Sequence, residues 1–285
     1  MSYSSDISIT QFNMIRRYLP KVKKTRPRKY SELSLINGML YVLVNGCKWR
    51  DIPSDLPSWH SVYKYYRTLV ISKYLDHILY KLNDRYFKLK SKNINNKHNN
   101  LPNHIIVTDS QSIRCTDLMS GKDKGYDGNK KVNGLKRFIL MDVLGCVWYT
   151  RCVKGNLSEK TEIRKIMKNF TSMKAYPKRF KSLLADKGFE SESLKQDLLK
   201  ESGITLYSMK STKRLKNNTI FDKDQIEYIK QQNKLIKSLR WIVEQGFAHL
   251  DKARRLIVNH EKRTKMHEGF VKLQFIRLKL NQLVR

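Results

Sequence analysis

The sequence predicts an α/β protein: a mixed sheet flanked by helices, preceded by a helical domain. Three observations carry this. Short apolar, β-branched runs cluster after residue 104 and alternate with stretches of helical period. Residues 1–90 show helical spacing without such runs. Between them, 91–103 (SKNINNKHNNLPN) is polar, Asn-rich and aperiodic, and reads as a linker. A chain of 285 residues suits two domains at ~150 residues each.

In the first domain, Ser31 or Ser34 is placed to cap a helix with Leu33, Ile36, Leu40, Leu43 and Val44 at helical spacing, ended by Gly46. Pro53 and Pro57 mark a turn, and Ser58 caps a second helix, Trp59 to Leu69. That helix mixes Trp59, Tyr63, Tyr65 and Tyr66 with Lys64 and Arg67. A helix, a tight turn and a basic aromatic helix resemble a helix-turn-helix, with Lys64 and Arg67 as DNA contacts. The run KVKKTRPRK, 21–29, reads as a basic arm suited to phosphates.

In the second domain, 104–285, HIIVT is a strand, followed by Leu135 to Val143 and Cys146 to Val153, joined at Leu144-Gly145 as a hairpin. Arg179 to Ala185 and Ile204 to Met209 are the fourth and fifth strands. Helices fit between Ser158 and Asn169, between Glu190 and Ser202, and from about Asp224 onward.

Lys and Arg number 58 against 25 Asp and Glu, a net charge of +33. A chain this basic repels itself, so a polyanion is the expected partner. The bases are spread along the chain rather than gathered beside an apolar anchor, which favours nucleic acid over membrane. No run of eighteen apolar residues occurs and Met1 to Ile15 lacks a signal-peptide core. The four cysteines, Cys47, Cys115, Cys146 and Cys152, form no C-x-x-C pair and read as reduced thiols of a cytoplasmic protein.

Two acids follow apolar strands directly: Asp109 in IIVTDSQS and Asp186 in SLLADKGF. Each alone is a turn or cap residue; together they place two carboxylates at one end of adjacent strands. A third, Glu244, lies in SLRWIVEQGFAHLDKARRL, off the apolar stripe Leu235, Leu239, Ile242, Gly246, Leu250. It is either a surface residue paired with Arg240 or aimed at the strand ends, held by the packing of Trp241 and Phe247. Converging carboxylates suit a pair of Mg²⁺ (or Mn²⁺) ions, hard cations that take oxygen ligands. Asp142 is expected to be structural, and Asp117, Asp123 and Asp127 to lie in a polar loop.

The segments NGMLYVLVNGCKWRDIP, TDSQSIR, GYDGNKKVNGLKRFILMDVLG, LLADKGF and RWIVEQGFAHLDKARRL, in that order, resemble a bacterial insertion-sequence transposase of the DDE superfamily, in the insertion-sequence-five group. The resemblance implies an RNase H-like catalytic domain with Asp109, Asp186 and Glu244 as catalytic and metal-binding triad. It puts Arg240, four residues before the Glu, in the signature that contacts DNA. Related groups carry Tyr where Lys237 stands and Lys where Asp251 stands, leaving Lys252, Arg254 and Arg255 as the nearest bases. Lys130, Lys131, Lys136 and Arg137 are implied near the active site, in reach of phosphates. The function expected is metal-dependent cleavage at the element's inverted-repeat ends, then attack of the freed 3′-hydroxyl on target DNA. Pairing two ends implies at least a homodimer on DNA, at the bacterial nucleoid. Two alternatives stand beside it: an RNase H-like nuclease such as a junction resolvase, which hydrolyses without joining, and an inactive basic DNA-binding protein.

Overall fold

The helices of the first region begin and end where local hydrogen bonding dictates. In the computed structural model, residues 3–21, 28–94, 104–119, 121–210 and 223–284 are described. Helix α1 (Ile9–Ile15) starts with a capping box, the Ser8 hydroxyl accepting from the Gln11 amide and the Gln11 side chain accepting from the Ser8 amide. Helix α2 (Glu32–Asn45) is capped by Ser31, which accepts from the Ser34 amide at 3.1 Å. It ends at Gly46, whose φ of 71° is the left-handed conformation glycine adopts without a Cβ penalty. Helices α3 (Trp59–Ile71) and α4 (Tyr74–Ile94) follow.

The expected α2 and α3 are present, but the turn between them is not tight. It runs from Gly46 to Ser58 and contains a short 3-10 turn, Trp49–Asp51. Trp49 is the reason: its ring packs against Tyr63, Tyr66 and Phe270 at centroid distances of 5.1, 5.4 and 5.6 Å, pinning the loop to the core. Of the Asn-rich stretch, 91–94 continue α4, and 95–103 lie outside the described residues. Most of the basic arm, 22–27, lies outside them too.

Among the described residues, six strands form one mixed sheet: β1 (Ile105–Arg114), β2 (Gly125–Asp127), β3 (Val132–Asp142), β4 (Val147–Lys154), β5 (Ser182–Ala185) and β6 (Thr205–Ser208). Strand β3 pairs antiparallel with β1, β2 and β4, while β1, β5 and β6 run parallel. The five expected strands are found. The sixth, β2, sits in the stretch expected as polar loop; three residues carry no readable alternation, and pairing with β3 decides them. Strand β1 is also longer than its apolar run, because backbone pairing with β3 continues through the polar residues to Arg114. The β3–β4 hairpin turns at Gly145, φ 71°, and buried Asp142 accepts from the Leu144 and Cys146 amides and the Trp148 indole, the structural role expected of it.

Each face of the sheet has its own core. Helices α5 (Glu159–Thr171) and α6 (Glu192–Ser202) pack on Ile106, Phe138 and Leu140. On the other face, α7 (Lys223–Asp251), the short α8 (Arg254–Ile257) and α9 (Thr264–Val284) share one continuous core with the N-terminal helices, around Val107, Ile139 and Met141. Helix α9 ties these parts together: Phe270 stacks on Tyr66 at 4.5 Å, and the Lys272 ammonium donates to Asp76 at 2.6 Å and Glu268 at 2.8 Å.

Candidate active site

Strands β1 and β5 are parallel neighbours with Val107 opposite Leu184. Asp109 and Asp186 each lie two residues further on, so the register puts both carboxylates at the same end of adjacent strands. Asp109 is not past its strand, as its place after the apolar run suggested, but within β1, opposite Ile139. Asp186 does follow β5 directly and caps a 3-10 turn, Lys187–Phe189. Each carboxylate is fixed by the next backbone amide: Ser110 donates to Asp109 at 2.8 Å and Lys187 to Asp186 at 2.7 Å.

Helix α7 brings the third acid. It approaches the sheet closely at Gly246, where a Cβ would stand 2.5 Å from Met141 Sδ and 2.9 Å from Ile139 Cδ1. One turn apart on this helix, Arg240 and Glu244 share a face. The Arg240 guanidinium lies 3.5 Å from Asp109 Oδ2, 3.4 Å from Asp186 Oδ1 and 3.3 Å from Glu244 Oε1. Three acids far apart in the chain thus surround one cation. Burial pushes the Asp109 carboxyl above its ordinary range; the Ser110 amide and Arg240 oppose the shift, and Asp186 and Glu159 add to it.

The donor set is all oxygen with three negative charges, which suits hard divalent cations. As placed, with the guanidinium among them, no three Asp, Glu, His or Cys side chains among the described residues are grouped to hold a metal ion. The residues that could hold such an ion are Asp109, Asp186 and Glu244, which now surround Arg240.

Of the expected stripe on α7, Ile242, Gly246 and Leu250 are buried and Leu239 is half-buried; Leu235 is not. Ile236, Val243 and Phe247 are buried too, while Leu235 is 47% and Trp241 55% exposed. Phe247 helps hold the helix as expected; Trp241 does not.

The bases divide into exposed and interior. Lys64, Arg67, Lys130, Lys131 and Lys252 are exposed. Lys136 and Arg137, expected at phosphates, are buried instead, because β3 is covered on both faces and alternate side chains enter both cores. Lys136 donates to the Leu157 carbonyl at 3.2 Å and lies 3.4 Å from Asp127 and 3.9 Å from Glu159. Arg137 donates to the Leu256 carbonyl at 3.0 Å and to Gln111, and lies 3.5 Å from Asp251. Asp251, at the position where the resemblance implies Lys, is thus a counter-charge for Arg137. Arg255 is likewise interior, held by Glu261 and the Cys47 carbonyl.

Sequence reasoning missed Glu159. It accepts from the Ser110 hydroxyl, beside Asp109, and its only signal was its place at the first turn of a predicted helix.

Residues 101–278 match the family model described as transposase DDE domain. That match spans more than half of the chain, which therefore belongs to the DDE-domain transposases, DNA-cutting enzymes. Residues 7–79 match a second model, for transposases of the IS4/5 family, so the protein is a DDE transposase of the IS4/5 type. No curated protein and no solved structure matched the chain. Among the described residues, no helix is long and apolar enough to cross a membrane.

Proposed function

We propose that this transposase binds the inverted-repeat ends of its own insertion sequence and catalyses both cleavage and strand transfer at Asp109, Asp186 and Glu244. The observation that carries the reading is the convergence of those three carboxylates on Arg240. The catalytic unit is an RNase H-like domain, 104–285, and the helical part, 1–90, which shares a core with α7 to α9, recognises the ends. A pair of Mg²⁺ or Mn²⁺ ions held by the triad would activate the attacking oxygen and stabilise the leaving one.

The chain's own residues set the geometry. Asp109 and Asp186 are held by amides of a strand and a turn, a rigid base for catalysis. Glu244 is 59% exposed on a helix and has room to adjust. Arg240 offsets part of the acids' charge in the resting site and is placed to contact a DNA phosphate once released. Lys130, Lys131, Lys252, Lys64 and Arg67 are the exposed bases assigned to phosphates. Joining two ends calls for two copies of the chain on DNA, acting at the nucleoid in the cytoplasm.

The test uses a duplex ending in the element's terminal repeat, with MgCl₂. Wild-type protein is expected to nick at the repeat tip and join the end to a plasmid. Asp109→Asn, Asp186→Asn and Glu244→Gln are expected to bind the end without nicking it. An active Asp109→Asn protein removes the triad from the mechanism. Hydrolysis without joining identifies a resolvase instead.

A further inference from the structure

A groove of about 1480 Å³ runs between α3, the outer strand β4 and the loop that leads into α9. Six of its bases are Arg67 on α3, Arg151 and Lys154 on β4, and Lys262, Arg263 and Lys265 before or at the start of α9. All six are exposed, and none forms an ion pair among the described residues. Four acids also line the groove: Asp123, and three that are already paired, two of them with the further groove bases Lys165 and Arg255. Glu162 pairs with Lys165 at 2.7 Å, Glu261 with Arg255 at 2.6 Å and Glu268 with Lys272 at 2.8 Å. Unmatched like charges facing one another across a concavity raise its potential and attract a polyanion.

The groove adjoins a second cavity on the Glu159 side of β1. Leu157 lines both it and an adjoining cavity of about 370 Å³, which also contains Glu159 and Gly188. Glu159 accepts from Ser110, the neighbour of Asp109, and Gly188 lies two residues after Asp186. The aromatic residues in the groove, Trp49 and Tyr63, are half-buried and pack on each other at 5.1 Å, so they do not offer a free face for base stacking.

We propose that this groove is a phosphate-backbone site for duplex DNA, holding the duplex behind the reacting end by charge without reading its bases. It rests on the transposase function proposed above, and it adds Arg151, Lys154, Lys262, Arg263 and Lys265 to the DNA interface.

The test measures binding of the full chain to a fluorescent random-sequence duplex by anisotropy, across a KCl series. The triple variant Arg151→Glu/Lys154→Glu/Lys262→Glu is compared with Lys174→Glu/Lys178→Glu/Lys200→Glu, which changes net charge equally at exposed sites outside the groove. The groove variant is expected to lose about tenfold or more in affinity at fixed salt, and its slope of log K against log[KCl] to flatten by about 2–3, near 0.9 per lost phosphate contact. The control variant is expected to keep the wild-type slope. Melting curves check folding, and the Gln versions of the groove substitutions, with a similar flattening expected, serve if the Glu set unfolds.

Equal slopes for groove and control variants overturn the proposal, even if nicking is intact. Loss of binding in the groove variant alone supports it, even if no nicking is ever seen and the transposition chemistry falls. Ile71 and Leu118 are exposed in the groove, so phosphatidylserine vesicles are a further arm; binding to vesicles but not duplex also overturns it.

Discussion

Strand β1 carries two charged clusters back to back, and they differ in access. Asp109 turns to α7, where three acids surround Arg240. Ser110 and Ser112 turn to the other face, where Glu159 and Asp127 accept from them and lie beside Lys136. The Lys136 side chain is only 8% exposed and also bonds the Leu157 carbonyl, whereas Glu244 is largely in solvent. The closed cluster has one lysine for two acids and is completed by hydrogen bonds. The open one has one arginine for three acids and keeps excess negative charge. Similar groups thus give a hydrogen-bonded brace around one buried lysine on one face and an acid-rich cluster around one half-buried arginine on the other.

Titration sharpens the contrast. Asp109 is raised, chiefly by burial. For Asp127 burial also pushes upward, but the Ser112 hydroxyl, the Lys130 amide, the Lys136 ammonium and the Asn129 amide together outweigh it and hold the carboxyl below its ordinary range.

The largest expected effect is at the open cluster. Asp109→Asn should lower the nicking rate by at least the ~10²–10³-fold that one preorganised electrostatic group is worth, with end binding unchanged in a gel-shift assay. Next comes the closed cluster. Lys136→Met leaves Asp127 without its buried counter-charge and should cost about 3 kcal/mol or more in urea unfolding. A Lys136→Met protein as stable as wild type would dissolve the distinction between brace and site.

The pH dependence is a smaller effect. Because the folded Asp127 carboxyl titrates below the unfolded one, its stabilisation is complete above the unfolded value. It is lost as pH falls through the folded value. Asp127→Asn should therefore lose stability less steeply than wild type as pH falls below about 4. The smallest effect is Arg240→Ala. In EDTA it should destabilise the protein by about 1 kcal/mol, since its ion pairs are partly exposed. The rise in melting temperature on adding MgCl₂ should then exceed that of wild type, because no guanidinium has to be displaced. An unchanged metal response would separate Arg240 from the ion site.

Much of this architecture is written locally in the chain. Caps at Ser31 and Gly46, the apolar runs of β1, β3, β4 and β5, and the Gly145 hairpin depend on neighbours a few residues away, so their signals survive in the sequence. Asp109 and Asp186 were legible because each directly follows an apolar run. Glu159 was not, because its partner Ser110 is distant in the chain and only the folded sheet brings them together. The fates of Lys136 and Arg137 were hidden likewise: exposure depends on what covers both faces of β3, which alternation of side chains along one strand does not record.

By itself, then, the sequence determined the α/β class, the order of the elements, the basic character and the acids worth watching, since these rest on composition and on spacings within single segments. Tertiary structure alone decided that the three acids meet at one guanidinium, that Asp251 answers Arg137, and which lysines reach water. Those outcomes depend on strand register, on the close approach of α7 at Gly246, and on helices supplied from both ends of the chain.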